Sequence, residues 1–458
     1  MTRTSAGAVA TLALATLAGA GVLAACNAWT PDGVALVGAT VFDGTGAPPR
    51  RDAVVVVRDG HIEAVTTRAG FSLPRRTTEV DVRGKWIIPG LIDAHAHVAP
   101  WALTRYLAWG VTTVRDVHGT LDTILALRQR ANTDQVPSPR IYSAGAMIDG
   151  RPPTYADAIP VDDASDARRA VDRLAVAGVD LIKVYTRVDP PVLKAIIDEA
   201  NTFHLPVAGH LGLTDAVTAA RLGLRSDEHM SGVPEASLAD PSALLSAHYR
   251  GFWPGWTAFE QSWAGLDSAA LDRVARELAA RHVVVVPTLV LHETFSRLED
   301  TLVTARPELR AVPAAEQTRW DVPGMIARAG WGRSDLAAFR RSRPMQDLFL
   351  RRFRAAGGTV ATGTDASNQL LIPGFSVHQE LELLVHAGFT PAEALLAATR
   401  NGAALIGADS LGTIVAGKAA DLVVLRADPL DDIRNTRKVE RVMLRGRLMP
   451  ADSIRKAW

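Results

Sequence analysis

Lys85-Trp86-Ile87-Ile88-Pro89-Gly90-Leu91-Ile92-Asp93-Ala94-His95-Ala96-His97 runs from apolar, β-rich residues into two histidines one residue apart. On a strand, side chains two apart point to the same side, so both imidazoles converge on one spot. Alone, such a pair also fits an exposed strand. Four further residues put it in company. Lys183 closes the apolar run Val179-Asp180-Leu181-Ile182, and His210 closes Pro206 to Gly209. His229 ends another such run, and Asp365 lies in Gly363-Thr364-Asp365-Ala366.

From residue 90 to residue 404, strand-like runs alternate with helical stretches, the pattern of a parallel sheet with right-handed helical crossovers. The runs are Gly90 to His97, Val111 to Val117, Arg140 to Met147, Leu181 to Tyr185, Pro206 to His210, Leu224 to His229, Val283 to Val290 and Thr359 to Ala366. Eight in this order predict an α/β fold, a (β/α)8 TIM barrel, with all six residues at C-terminal strand ends, where barrel active sites lie. Thr390 reads as an N-cap with Pro391 at the first helical position. The long connections 230–282 and 291–358 hold Trp253, Trp256, Trp263, Trp320 and Trp331, and are expected to act as lids over the mouth. Short β runs from Val34 to Val82 and again from Asp421 to Leu444 predict a small β-sandwich built from residues 26–89 and 405–458.

Imidazole and carboxylate donors suit zinc and its divalent neighbours, so four histidines and an aspartate in one mouth form a metal site. Lysine is the odd member. A protonated amine cannot ligate a cation, and burial beside metals depresses its pKa. A neutral Lys183 can take up carbon dioxide as a carbamate whose two oxygens bridge two metals. Alone, Lys183 also reads as a snorkelling lysine at a strand end.

The motif run continues through Gly110-Val111-Thr112-Thr113-Val114-Arg115-Asp116, Ile182-Lys183-Val184-Tyr185, Val207-Ala208-Gly209-His210, Val286-Pro287-Thr288-Leu289 and Gly417-Lys418-Ala419-Ala420-Asp421. Over about residues 34–448 the chain resembles the amidohydrolase superfamily, in its two-metal branch with a carboxylated lysine. It is similar in finer detail to imidazolonepropionase-like proteins and to Xaa-Pro dipeptidases and related carboxypeptidases. The resemblance implies that His95, His97 and Asp365 hold the more buried metal, His210 and His229 the other, and the Lys183 carbamate bridges them. It also implies hydrolysis of an amide, in a dipeptide or an N-acyl amino acid, by a metal-bridging hydroxide with Asp365 as proton shuttle.

Other residues are candidates around this set. Tyr185, two beyond Lys183 on the same strand face, is placed to hydrogen-bond a substrate carboxylate or a tetrahedral intermediate. Arg187 is a candidate for a substrate carboxylate, and an exposed loop arginine otherwise. His292 and His118, just beyond strands seven and two, are expected to face the pocket, His292 as a catalytic group. Asp93 is a candidate to orient a ligand from behind. His61, His204, His248, His282, His378 and His386 read as ordinary core or surface residues.

Lys and Arg total 50 against 49 Asp and Glu, which argues against a nucleic-acid partner and for a small-molecule or peptide substrate. The single cysteine excludes an intramolecular disulfide. It is Cys26, at the end of Leu23-Ala24-Ala25-Cys26, after Arg3 and an Ala- and Leu-rich run. That grammar resembles a bacterial lipoprotein signal over residues 1–25. It implies export, with Cys26 lipid-anchored to a membrane on the periplasmic or extracellular face of the envelope. Two competing functions remain at this level: a one-metal deaminase or cyclic-amide hydrolase with unmodified Lys183, and a non-catalytic surface binding protein.

Overall fold

The computed structural model describes residues 33–456 and residue 458, so Cys26 and the export segment lie outside the described residues. The two chain ends share one eight-stranded sheet. Its first strand, Gly33–Val41, pairs antiparallel with Arg50–Arg58. It also pairs parallel with Thr77–Asp81 along residues 33–37 and with Trp86–Pro89 at residues 40–41. The change of neighbour falls at Gly38, whose φ of 90° belongs to glycine and whose added Cβ would lie 2.4 Å from Arg83 Cγ. Trp86–Pro89 then pairs with Leu422–Leu425, which joins Val439–Leu444 and Arg447–Pro450.

Period-2 alternation gives these strands two apolar faces. Leu36, Val55 and Ile62 from the N-terminal part meet Ile87, Leu422 and Met443 in one shared core. Ile88, Val423 and Val442 face the opposite way and join the main core of the barrel. This small β domain, one continuous sheet rather than two, and the barrel are therefore packed through the strand that leads into His95.

Eight parallel strands form the barrel. Leu91–Ala96 pairs with Val111–Asp116, which pairs with Arg140–Ser143. Ile182–Val184, Val207–Gly209, Ser226–Glu228, Val284–Val286 and Thr359–Val360 follow in order. The third and fourth members are joined where Asp180 N donates to Ser143 O at 2.9 Å. The ring closes where Ala94 N donates to Thr362 O at 2.8 Å and Ala96 bridges Ala366 in parallel. Burial is complete along Leu91–Ala96, Asp93 and His95 included, as befits a parallel strand enclosed on both faces.

Several boundaries differ from the sequence expectation. The seventh strand stops at Val286 rather than running to Val290, because Thr288 takes a left-handed φ of 47° and a helix, Leu289–Ser296, starts there. The third run gives way after Ser143 to two short extra strands, Ile148–Gly150 and Ile159–Val161, which pair with each other and reach Val184. At Thr390 the expected cap is present. Its side chain accepts from Glu393 N, Glu393 returns the bond, and Pro391 begins the helix Pro391–Ala397.

The long connections are packed helices that build the wall of the mouth rather than free lids. Phe252–Ser262 brings Phe252, Trp253 and Trp256 to the cavity, and Leu289–Ser296 brings Leu291 and Phe295. The other three tryptophans serve elsewhere. Trp263 is buried in the core, Trp320 Nε1 donates to Ser367 O at 3.0 Å, and Trp331 Nε1 donates to Thr257 Oγ1 at 2.8 Å. No helix among the described residues is long and apolar enough to cross a membrane.

Candidate active site

The six polar residues at the strand ends line one cavity of about 270 Å³. His95 stands on the first strand, and His97 lies just past its end. His97 Nε2 is 2.9 Å, and His95 Nε2 3.1 Å, from Asp365 Oδ1. Among the described residues these three form a group whose donor atoms lie within 4.8 Å of one another, as a metal site requires. His229 stacks edge-on to His95 with ring centroids 4.4 Å apart, and His210 lies 4.7 Å from His229.

Lys183 lies on the fourth strand and is 2 % exposed. Its Nζ is buried with no hydrogen-bond partner. Burial pulls the amine down to about 8, against the opposing pull of Glu228. A buried amine of this kind is the group a carbamate would convert into a paired ligand. Four imidazoles, one carboxylate and this orphaned amine therefore fit a divalent metal centre.

The backbone is bent to aim these donors. His229 (φ 64°), Thr288 (φ 47°) and Asp365 (φ 62°) all sit in the left-handed region, where non-glycine residues are uncommon. Tertiary bonds hold each bend. His229 N donates to Val286 O, and Asp365 N donates to His95 O. Thr288 Oγ1 lies 2.7 Å from His229 Nδ1, leaving Nε2 for the cavity. The next two amides, Leu289 N and Val290 N, donate to the buried Glu380 carboxylate.

Besides Thr288, two further supporting residues escaped the sequence reading. Glu228 Oε2 lies 2.5 Å from His95 Nδ1, while its Oε1 accepts from Arg115 at 2.7 Å and Ser226 Oγ at 2.6 Å. Burial opposes its ionisation, but Arg115 and His95 outweigh it and hold the carboxyl far below its ordinary range. A carboxylate there fixes the His95 tautomer and turns Nε2 toward the metal donors. The signal was present as an acid directly before a metal-site histidine, two residues from Ser226 on the same strand face. Glu228→Gln is expected to lower metal affinity by roughly 10- to 100-fold, read by chelator titration. Unchanged affinity would remove Glu228 from the site. The second is Asn368, whose Nδ2 donates to Asp365 Oδ2 at 2.9 Å.

Asp93 supports the ligands through the backbone. Its carboxylate accepts from Thr364 Oγ1, Thr364 N and His95 N, so it ties the first strand to the loop carrying Asp365 and touches no ligand ring. Burial pushes it up to about 7. Tyr185 and His118 do line the cavity. His292 does not: its ring lies behind Trp256, stacked at 5.6 Å and 11°, with Nδ1 bonded to Glu260. The catalytic expectation for His292 is thus corrected, because the helix begins at Leu289 and turns its ring into the core. Arg187 is also diverted, with its guanidinium donating to Pro152 O and Tyr249 O outside the cavity.

Comparison with known proteins gives the family and the fold. The model of the Amidohydrolase family matches residues 86–449. An imidazolonepropionase of Cereibacter sphaeroides is 27% identical over 408 residues, covering 85% of this chain and 92% of that one. Another, of Chromobacterium violaceum, is 26% identical over 84% of this chain and 88% of its own. In the fold, a Xaa-Pro dipeptidase with methionine bound in its active site superposes with a TM-score of 0.67 at 20% identity, covering 91% of this chain and 100% of that one. With its barrel, its buried donor set and a family match spanning most of its length, the chain belongs to the amidohydrolase family and is a metal-dependent hydrolase of carbon–nitrogen bonds.

Proposed function

We propose that the chain holds two divalent ions, zinc by the chemistry of the donors, and hydrolyses an amide bond in a small molecule. His95, His97 and Asp365 would hold one ion, His210 and His229 the other, and a carbamate on Lys183 would join them. The observation that carries this reading is the buried Lys183 Nζ with no partner, set among four imidazoles and a carboxylate. When bound, such ions lower the pKa of a shared water and polarise the substrate carbonyl.

The chain's own residues supply the rest. Asp365 accepts the proton of the attacking water and returns it to the leaving nitrogen. Glu228 and Thr288 hold the His95 and His229 rings, and Asn368 holds the second oxygen of Asp365. Tyr185 lies with its ring centroid 4.5 Å from His210. Burial, with Tyr155 beside it, raises its phenol well above the ordinary value, so it remains a donor for the developing oxyanion. The imidazolonepropionase relatives favour a cyclic amide as the second reading of the substrate.

Metal analysis of bicarbonate-supplied protein, paired with a screen of dipeptides, N-acyl amino acids, cyclic amides and lactones, tests the proposal. Two ions per chain with amide turnover supports it. One ion beside an unmodified lysine would move the site to the one-metal alternative.

The proposed location is the cell envelope, with Cys26 lipidated, supported by the Leu-Ala-Ala-Cys ending of the export segment. Labelling with a fatty-acid analogue is expected to mark the natural chain and not Cys26→Ala. Label retained in that variant would defeat it.

A further inference from the structure

We propose that this site selects a neutral amide with an aromatic part, laid against Phe252 and Trp256, and discriminates against substrates carrying a free carboxylate. The inference deepens the amidohydrolase reading and rests on it.

One wall of the cavity is a continuous face of rings. Tyr185 stacks near Phe252 at 6.2 Å and 25°, and Phe252 stacks near Trp256 at 6.0 Å and 28°. Tyr155 meets Tyr185 edge-on at 5.7 Å. This wall abuts the metal donors directly, since Trp256 lies 6.0 Å from His210 and 6.2 Å from His229. A flat group against Trp256 therefore lies next to the reacting bond. The indole is held from behind by His292, itself bonded to Glu260, so the wall is formed before a ligand arrives. Preorganised rings give up little freedom on binding, and aromatic pairs add contact energy beyond area alone.

The charge pattern sets the second half of the preference. Among the described residues lining the cavity there is no arginine, and the one amine is Lys183, which the proposed function commits to the metals. Arg187 spends its guanidinium on two backbone carbonyls outside the cavity. Both ring nitrogens of His118 are engaged within the protein, Nδ1 with Met147 N and Nε2 with Asp157. Asn368, Gln369 and the two phenols offer neutral dipoles only. A carboxylate laid against this ring wall loses water without gaining a side-chain cation, so that only the ions of the proposed function stand to offset its charge.

The test uses the metal-loaded full chain and a matched pair of N-acyl anilides bearing a para-carboxamide or a para-carboxylate. The neutral member is expected to have a kcat/KM at least roughly tenfold higher, since the ring wall desolvates a para-carboxylate and gives it no side-chain partner. Calorimetry with the two corresponding anilines reads the same preference without turnover. Gln369→Arg places a cation at the cavity and is expected to shrink or reverse the discrimination, while Phe252→Leu is expected to raise KM for the neutral anilide. Equal or better handling of the carboxylate in both assays would overturn the inference, as would a Gln369→Arg variant with unaltered preference. If neither anilide is cleaved but the neutral aniline binds more tightly, the selectivity stands and the reaction assigned to the site falls.

Discussion

Asp365→Asn is expected to lower kcat by about 10²- to 10⁴-fold, the usual contribution of a positioned proton acceptor, while the chain remains folded. Asp365 is buried, which opposes its ionisation. The bonds from His95 and His97, together with their charge, outweigh burial and hold the carboxyl well below its ordinary range. It therefore meets substrate as a carboxylate, the form that can accept a proton. Asparagine keeps the shape and can still receive Asn368 on its oxygen, but it cannot take up a proton. KM should change far less than kcat, because the lost interaction belongs to the transition state. Metal content measured on the same preparation should fall modestly. Near-native turnover in a fully metallated variant would place the base elsewhere.

Lys183→Ala is expected to have the larger effect on the metal centre itself. The side chain has no hydrogen bond to lose, so the substitution removes a proposed ligand and leaves a space in its place. Metal content should drop severely, with turnover lost alongside it. A short-chain carboxylic acid added to the buffer is expected to restore part of both by supplying two oxygens in the vacated space. That rescue separates a bridging role from a packing role, since a carboxylate would not repair a cavity in an apolar core. In a high-resolution map of natural protein, planar density beyond Nζ should carry metals roughly 2.0 to 2.2 Å from its oxygens if zinc is bound. Full metal content in Lys183→Ala would sink the bridging role.

The legible part of this chain was local. Alternation with a period of two put His95 and His97 on one side of one strand, and the order of apolar runs put Lys183, His210, His229 and Asp365 at the ends of others. Those inferences need only the strand period and the rule that barrel sites gather at C-terminal strand ends. The same local logic found the Thr390-Pro391 helix start. It failed at His292, because proximity in sequence to a strand end says nothing of which way a following helix turns its side chain. The left-handed Thr288 and the helix starting at Leu289 decided that.

The supports of the site belong to tertiary structure alone. Glu228 meets His95 across 133 positions of sequence, and Asp93 meets Thr364 across 271. A sequence shows that a strand carries a buried acid. It does not show which distant base the acid will neutralise, because that depends on how the strands of the closed ring are staggered against one another. The wall of the cavity is a matter of the same kind. Five tryptophans in two long connections announced an aromatic surface, but only packing decided that Trp253 and Trp256 face the cavity while Trp263, Trp320 and Trp331 do not. Donor identity is thus written in the strands, whereas orientation, protonation and selectivity arise where remote segments desolvate one another.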